Sequence, residues 1–210
     1  MLVNEMQVKL IDKMGNDNSV VNAARISFDK AAKNYSEEKN EKLIKYLATH
    51  GHWTPFGHTS LTFHIKAPIF VARQLGKHQV GLVWNEISRR YVDSPAEYYE
   101  PMVWRKKAEN VKQGSSEEEV DVSLEGYDSA VRICDGVYRS LLAAGVCAEQ
   151  ARAVLPQSMM TEWYWTGSLA AFSRVCKLRL DPHTQKETRN VAEKINKECA
   201  ESFPISWKYL

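Results

Sequence analysis

The sequence lacks the features that mark several large classes of protein. It has no apolar run approaching the ~18 residues that a membrane helix needs. Its charged N-terminus lacks the apolar centre of a signal peptide. It contains neither a GxGxxG nor a GxxxxGK(S/T) loop, so neither a Rossmann site nor a P-loop is indicated. We therefore expect a cytoplasmic protein with no membrane partner.

Cysteine and net charge are also sparse. The four cysteines are widely spaced and form no CxxC pair: Cys134, Cys147, Cys176 and Cys199. Without a secretion signal they are expected to be reduced thiols, and each is interpreted as a buried small apolar residue. The net charge of +2 is too small to indicate nucleic-acid binding, so any phosphate contact must be local.

The composition is that of an ordinary globular protein. With 210 residues, 44% of them hydrophobic and 26% charged, the chain can form one well-buried core, and we expect one domain over 1–210. Strands are predicted at 8–14, 60–67, 88–92 and 161–166. Helices are predicted at 20–28, 36–51, 68–76, 123–144, 148–155 and 168–177, and from Asp181 onward. An exposed loop is expected at about 105–125. Without regular βαβ alternation, this pattern indicates an α+β fold.

Five of the six histidines lie between positions 50 and 78: His50, His52, His58, His64 and His78. This cluster is the reason for one alternative, a metal-dependent nucleotide hydrolase. The window has no HExxH motif, and hydrogen-bonding or surface histidines are the better interpretation of each, so no metal site is predicted. A second alternative is a non-enzymatic nucleotide- or RNA-binding module, based on local basic residues and six tryptophans, although these aromatics are better explained as core residues.

Arginines are better candidates for binding a phosphorylated ligand. The planar guanidinium holds a phosphate or carbonyl edge with two hydrogen bonds. Most arginines are solvated surface cations. Arg90, Arg152 and Arg179 differ because each has apolar or aromatic sequence neighbours, where an unpaired cation would be costly.

Several sequence blocks together resemble one family. They are NDNSVVNAARISF (16–28), HGHWTPFGH (50–58), FHIKAPIFVARQ (63–74), NEISRRY (85–91), ARAVLP (151–156) and KLRLDPHTQKE (177–187). In this order they resemble the signature series of flavin-dependent thymidylate synthases. The resemblance implies a mixed, largely antiparallel sheet packed with helices. It also implies a homotetramer with active sites shared between subunits.

The resemblance further implies an activity and its ligands. Members of the family convert dUMP to dTMP with methylenetetrahydrofolate as carbon donor. Tightly bound FAD, reduced by NADPH, supplies the hydride, and no enzyme cysteine is used as nucleophile. Catalysis would then rest on positioning and charge stabilisation.

The site residues follow by matching positions. Arg179 matches the arginine credited with polarising the uracil N3/O4 edge, and is the expected catalytic residue. The substrate would contact Gln74, Lys77, Glu86, Ile87, Ser88, Arg89, Arg90, Arg152 and Arg179. The flavin would contact Ser27, His52, Thr54, Lys77, His78, Gln79, Asn85, Glu86, Ser168, Arg174 and His183.

The chain departs from the family pattern in four places. Lys77-His78-Gln79 replaces the usual Arg-His-Arg, and one residue is inserted between this triplet and Asn85. Gly57 stands where glutamate is common, and Ser168 and Ala170 replace a larger Asn-x-Arg pair. The triplet removes one charge, which Arg174 is expected to compensate. The Lys-His form with an Arg-Arg-Tyr ending resembles the divergent versions carried by bacteriophages, and a virus-encoded protein would be expected in the host cytoplasm.

Overall fold

A computed structural model describes residues 1–29, 32–92, 94–109, 114–123 and 125–210. The strands of these residues are β1 (Leu2–Val3), β2 (Gln7–Met14), β3 (Ser60–Pro68), β4 (Leu82–Glu86), β5 (Tyr98–Tyr99), β6 (Trp104–Lys107), β7 (Ser115–Val120) and β8 (Met160–Gly167). The helices are α1 (Asp17–Arg25), α2 (Glu37–Thr49), α3 (Ile69–Leu75), α4 (Glu125–Ala143), α5 (Ala148–Ala151), α6 (Leu169–Arg179), α7 (Lys186–Ser202) and α8 (Pro204–Tyr209). Short 3₁₀ turns lie at Ile26–Phe28, Ala32–Asn34, Thr54–His58 and Arg152–Val154. No helix in these ranges is long and apolar enough to span a membrane.

The main sheet has the strand order β2-β3-β8-β4, and each neighbouring pair is antiparallel. The predicted alternation of β3 is confirmed: Leu61, Phe63, Ile65 and Ala67 are buried, and the residues between them are half-buried. This period of two places every second side chain on the face that the helices cover. Two small sheets complete the fold, a parallel β1-β5 pair and an antiparallel β6-β7 hairpin. The expected α+β class with a largely antiparallel sheet is thus confirmed.

Aromatic side chains join the sheet to α6. Phe172 contacts Phe63 edge-to-face at 4.9 Å between ring centroids and Trp165 at 5.4 Å. All three rings are fully buried. Burying an aromatic side chain of this size contributes about 1.5–3 kcal/mol. Because α6 is fixed in this way, Arg174 in the middle of the helix and Arg179 at its last position have a defined place relative to the sheet.

Several predicted element boundaries were wrong. The cap of α1 is Asn16, whose side chain accepts from the Ser19 backbone, while the Ser19 hydroxyl accepts from Asn16 in a capping box. The predicted strand at 88–92 is a turn instead: β4 ends at Glu86, and the backbones of Tyr91 and Val92 donate to the Ser88 backbone oxygen. Pro68 is the last residue of β3 and precedes α3, although it was placed in the first helical turn.

The last predicted helix and the predicted loop also differ from the structure. Asp181 closes a turn, accepting from the His183 backbone and side chain, and α7 begins only at Lys186. The segment expected to be an exposed loop at 105–125 contains most of the β6-β7 hairpin. Its outward glutamates are exposed, but Glu117 forms ion pairs with Lys186 at 3.7 Å and Arg189 at 3.3 Å. These pairs hold the hairpin against the first turns of α7.

Candidate functional site

The turn that follows α3 is attached to α6 by two arginines. The Nε atom of Arg179 donates to Nε2 of His78 at 2.9 Å, and Nη2 of Arg179 donates to the backbone oxygen of Gln74 at 2.9 Å. Five residues earlier on α6, Nη2 of Arg174 donates to the backbone oxygen of Val80 at 2.7 Å. The segment that carries the Lys-His-Gln triplet is therefore held at its beginning and at its end by the same helix.

His78 is a neutral acceptor in this arrangement. Burial, together with the charges of Arg179 and Arg174, holds the pKa of His78 below its ordinary value. Because Nε2 accepts the Arg179 bond, the ring proton is assigned to Nδ1. Burial also lowers the pKa of Arg179 from its usual value, but a guanidinium remains charged in proteins. Arg179 therefore keeps its charge, with two of its donors already directed by the protein.

A cavity of about 540 Å³ lies beside this arginine. Gln74, Lys77, Arg179 and His183, all predicted site residues, line it. Gly114, which directly precedes β7, adds part of the wall. Its backbone has a φ of +93°, a left-handed conformation that glycine adopts easily, and an added Cβ would lie 3.6 Å from the His183 oxygen. The hairpin thus closes one side of a pocket whose floor comes from α3 and α6.

A second cavity, of about 420 Å³, lies on the other side of the triplet. Lys77, His78, Gln79 and Glu86 line it, together with Trp84. The Glu86 carboxylate accepts from Thr161 Oγ1 at 2.6 Å and from Trp84 Nε1 at 3.1 Å, which fixes its direction. Lys77 borders both cavities, so its ammonium can serve a ligand in either.

His52 and Arg174 border a third, smaller cavity of about 230 Å³ next to the exposed Trp53. Ser168 caps α6 by accepting from the Ala171 backbone at 3.3 Å. An added Cβ on Gly81 would meet both Arg174 and Ser168, at 3.6 and 3.9 Å. Ser168 and Arg174 are therefore neighbours of the turn after the triplet.

The NEISRRY block lies in β4 and the turn after it. The Ile87 backbone N–H donates to the backbone oxygen of Glu162 at 3.0 Å, and Ser88 Oγ accepts from the Arg90 backbone N–H at 3.3 Å. Arg89 donates to the Ser94 oxygen. Arg90 is exposed, with its guanidinium 5.0 Å from the Tyr91 ring. None of Ile87, Ser88, Arg89 or Arg90 lines any of the three cavities described above.

The sequence predicts that apolar neighbours surround the guanidiniums of Arg90 and Arg152, but in the single chain both side chains are exposed. The Nε atom of Arg152 donates to the backbone oxygen of Glu149 at 3.3 Å. Apolar sequence neighbours do not bury these two guanidiniums, because alternate positions of a turn or short helix face different ways. Only Arg179 of the three is half-buried. The remaining flavin candidates Ser27, Thr54 and Asn85 are exposed and lie outside the three cavities.

The histidine cluster divides among separate partners. His50 donates from Nδ1 to the Tyr46 oxygen at 2.8 Å, and His64 pairs with Glu162 at 2.9 Å. Within the described ranges, no three His, Cys, Asp or Glu side chains are arranged to hold a metal ion. The described part of the chain therefore offers no support for the metal-dependent hydrolase. All six tryptophans lie in described segments and only Trp53 is exposed, so no row of exposed indoles for stacking RNA bases is present there.

The cysteines match their prediction only in part. Cys176 and Cys199 are buried, and burial raises the pKa of the Cys176 thiol to about 12. Cys134 is half-buried, and Cys147 is exposed, which is the opposite of its predicted burial. Cys147 directly precedes the short helix α5, where the chain turns at the surface.

Sequence reasoning missed three polar residues behind the first cavity. Glu187 is 5% exposed, and its carboxylate accepts from Arg105 at 2.7 Å and from Gln185 at 3.0 Å. Gln185 itself lines the cavity. The only sequence signal was their position: Gln185 and Glu187 lie within the KLRLDPHTQKE block, while Arg105 was assigned to a loop.

The fold and the site together define an α+β domain with an open pocket between α3, the end of α6 and the β6-β7 hairpin, whose cations Lys77 and Arg179 suit an anionic ligand with a polar ring. A family profile described as thymidylate synthase complementing protein matches residues 9–205. The chain belongs to this family.

Proteins named flavin-dependent thymidylate synthase are similar over nearly the whole chain. One from Thermus thermophilus is 41% identical over 201 residues, covering 95% of this chain and 73% of the relative. One from Thermosipho africanus is 39% identical over 210 residues, covering 96% and 91%. The fold is similar to the crystal structure of PolB, a UMP/dUMP methylase from Streptomyces cacaoi bound with 5-Br dUMP. That similarity has a TM-score of 0.88 and 29% identity, and covers 99% of this chain and 95% of PolB.

Proposed function

We propose that this protein methylates dUMP to dTMP, with methylenetetrahydrofolate as carbon donor and FAD, reduced by NADPH, as hydride source. The observation that supports this proposal most directly is the fixed Arg179 guanidinium beside a cavity of about 540 Å³. The naming of the Thermus and Thermosipho relatives and the dUMP analogue bound to PolB support the same activity. A cytoplasmic location is part of the proposal.

The role proposed for Arg179 is charge stabilisation at the pyrimidine. Hydride addition at C6 and carbon bonding at C5 push electron density toward the N3/O4 edge of uracil. A guanidinium that is already oriented by His78 and Gln74 needs little reorganisation to stabilise that charge. Gln74 and Lys77 line the same cavity and are proposed to hold the nucleotide beside Arg179.

The residues around the triplet fit a flavin. Lys77, His78 and Gln79 line the cavity of about 420 Å³, and they offer one ammonium, one neutral imidazole and one amide. A flavin dinucleotide combines phosphates with a ring system rich in donors and acceptors, so this set has matching chemistry. When bound, FAD supplies the hydride. The chain's own part is to orient the dinucleotide through these groups and through Arg174, whose Nη2 already fixes Val80.

The exposed candidates are proposed to act across subunits. Ser27, Thr54, Arg90 and Arg152 all lie outside the three cavities of the single chain. A guanidinium that has only a weak intrachain partner remains available to a phosphate on a neighbouring copy. We therefore keep the homotetramer with shared active sites as part of the proposal.

One anaerobic assay tests the function. Purified protein is checked for a flavin spectrum, photoreduced, and mixed with methylenetetrahydrofolate and either dUMP or UMP. The expected product is dTMP from dUMP, together with faster flavin oxidation. UMP is included because PolB is named for both nucleotides. Absence of bound flavin, or flavin oxidation that dUMP does not change, would contradict the proposal.

A further inference from the structure

A chain of hydrogen bonds runs from the hairpin to the candidate pocket. Arg105 donates from Nε to Ser115 Oγ at 2.7 Å and from Nη2 to Glu187 Oε1 at 2.7 Å. Gln185 Nε2 donates to Glu187 Oε2 at 3.0 Å. Gln74 Nε2 then donates to Gln185 Oε1 at 2.5 Å. The chain therefore starts at a salt bridge and ends at a residue that lines the cavity beside Arg179.

The direction of these bonds is set at Glu187. A carboxylate paired with arginine can only accept hydrogen bonds, so Gln185 must turn its NH₂ group toward Glu187. The side-chain oxygen of Gln185 then faces Gln74, so Gln74 must donate a hydrogen bond to it from its own NH₂ group. This leaves Gln74 Oε1, to which no side chain in the described ranges is seen to donate. The Glu187 side chain is only 7% exposed, so water does not readily replace the hydrogen bonds that it accepts.

We propose that Glu187 is a positioning residue: through Gln185 it fixes the amide of Gln74 so that Gln74 Oε1 acts as an acceptor beside the Arg179 donors. An acceptor next to a guanidinium matches a ring edge that carries an N–H beside a carbonyl oxygen. The imide of uracil has such an edge. This inference rests on the proposed function, because it names the part of the nucleotide that the pocket orients.

Reversing the chain of bonds provides the test. Glu187→Gln removes the fixed acceptor and allows Gln185 to turn over, so dUMP binding to the flavin-loaded enzyme should weaken about tenfold. Gln74→Glu alone places two carboxylates at the two ends of Gln185, which can donate to only one of them. It should weaken binding more and lower the melting temperature. Combining both substitutions restores a complete set of bonds in the opposite direction.

The double variant is therefore expected to bind dUMP about tenfold better than the product of the two single losses, and to melt above the Gln74→Glu variant. Glu193→Gln is the matched control, because Glu193 is a half-exposed carboxylate on the same helix, and it should behave like the parent. Additive effects in both readouts would overturn the positioning role, since a merely structural loss has no preferred direction. If the parent itself fails to bind dUMP, the proposed function fails, while the melting temperatures still decide the role of Glu187.

Discussion

Replacing Arg179 with alanine should separate turnover from flavin retention. The guanidinium makes two bonds of 2.9 Å, to His78 Nε2 and to the Gln74 oxygen, and both acceptors lie on half-buried residues. Each lost bond costs about 0.5–1.5 kcal/mol, so unfolding free energy should fall by about 1–3 kcal/mol. For a chain of this size the melting temperature should fall roughly 2–4 °C for each kcal/mol.

The effect on turnover should be much larger. If Arg179 stabilises the charge that develops at the N3/O4 edge, its removal should slow dTMP formation by about 10²–10³-fold at saturating dUMP, as loss of an oxyanion donor does. Flavin content should stay near the parent level, because Lys77, Gln79 and Arg174 remain. The turnover of Arg179→Lys should lie between that of the parent and that of Arg179→Ala, since an ammonium keeps the charge but not the two directed donors.

The assay measures two quantities separately, the rate of dTMP formation per subunit and the bound FAD per subunit, with protein concentration held fixed so that assembly does not vary. Arg139→Ala, which removes a largely exposed arginine on α4, is the control and should leave both quantities unchanged. Product formation near the parent rate in a folded Arg179→Ala enzyme would refute the charge-stabilising role. Equal losses of turnover and FAD would show that Arg179 acts mainly by holding the triplet in place.

Three other substitutions test the surroundings of the site. Gln79→Arg should tighten FAD binding, measured by flavin fluorescence, because it adds a charge and a two-pronged donor; unchanged or weaker affinity would count against this. Because the fold favours neutral His78, its contribution to stability is complete above its ordinary pKa of about 6.5 and decreases as pH falls below that value toward the lowered pKa. Urea midpoints measured across this range should fall more steeply for the parent than for His78→Asn, and equal slopes would contradict the assignment. Gly167→Ala should cost about 1–3 kcal/mol of stability, because its Cβ would lie 2.4 Å from Leu82 Cδ2 and 2.8 Å from the Gly81 oxygen; an unchanged urea midpoint would show that β4 shifts freely.

The sequence predicted those elements whose periodicity reflects burial on one face. β3 and β8 were found because one face of the sheet is covered and the other is not. The β6-β7 hairpin was missed because its stability does not come from apolar alternation. Ser115–Val120 carries three consecutive glutamates, and the hairpin is joined to α7 by ion pairs with residues about 70 positions away. Such long-range pairing leaves no local pattern in the sequence.

The sequence predicts several residues that line the first cavity, but not the hydrogen bonds that connect them. Gln74, Lys77 and the pair Arg179 and His183 come from three separate parts of the sequence, and the structure brings them to one cavity. That His78 accepts from Arg179 could not be read from the sequence, because it depends on how α6 crosses the turn after α3. The exposure of Arg90 has a related cause, because residues that are neighbours along the chain need not be neighbours in space.

The three positions of the Lys-His-Gln triplet have different contacts. Its centre, His78, holds the proposed activating arginine, and the turn is fixed again at Val80 by Arg174. The two positions that differ from the usual Arg-His-Arg are exposed, and both border the cavity assigned to the flavin. Neither is bonded to Arg179. Both substitutions leave the support of Arg179 intact. Gln79 borders only the cavity proposed for the flavin, whereas Lys77 also lines the cavity beside Arg179. The change at position 79 should therefore alter flavin affinity before it alters activation of the pyrimidine.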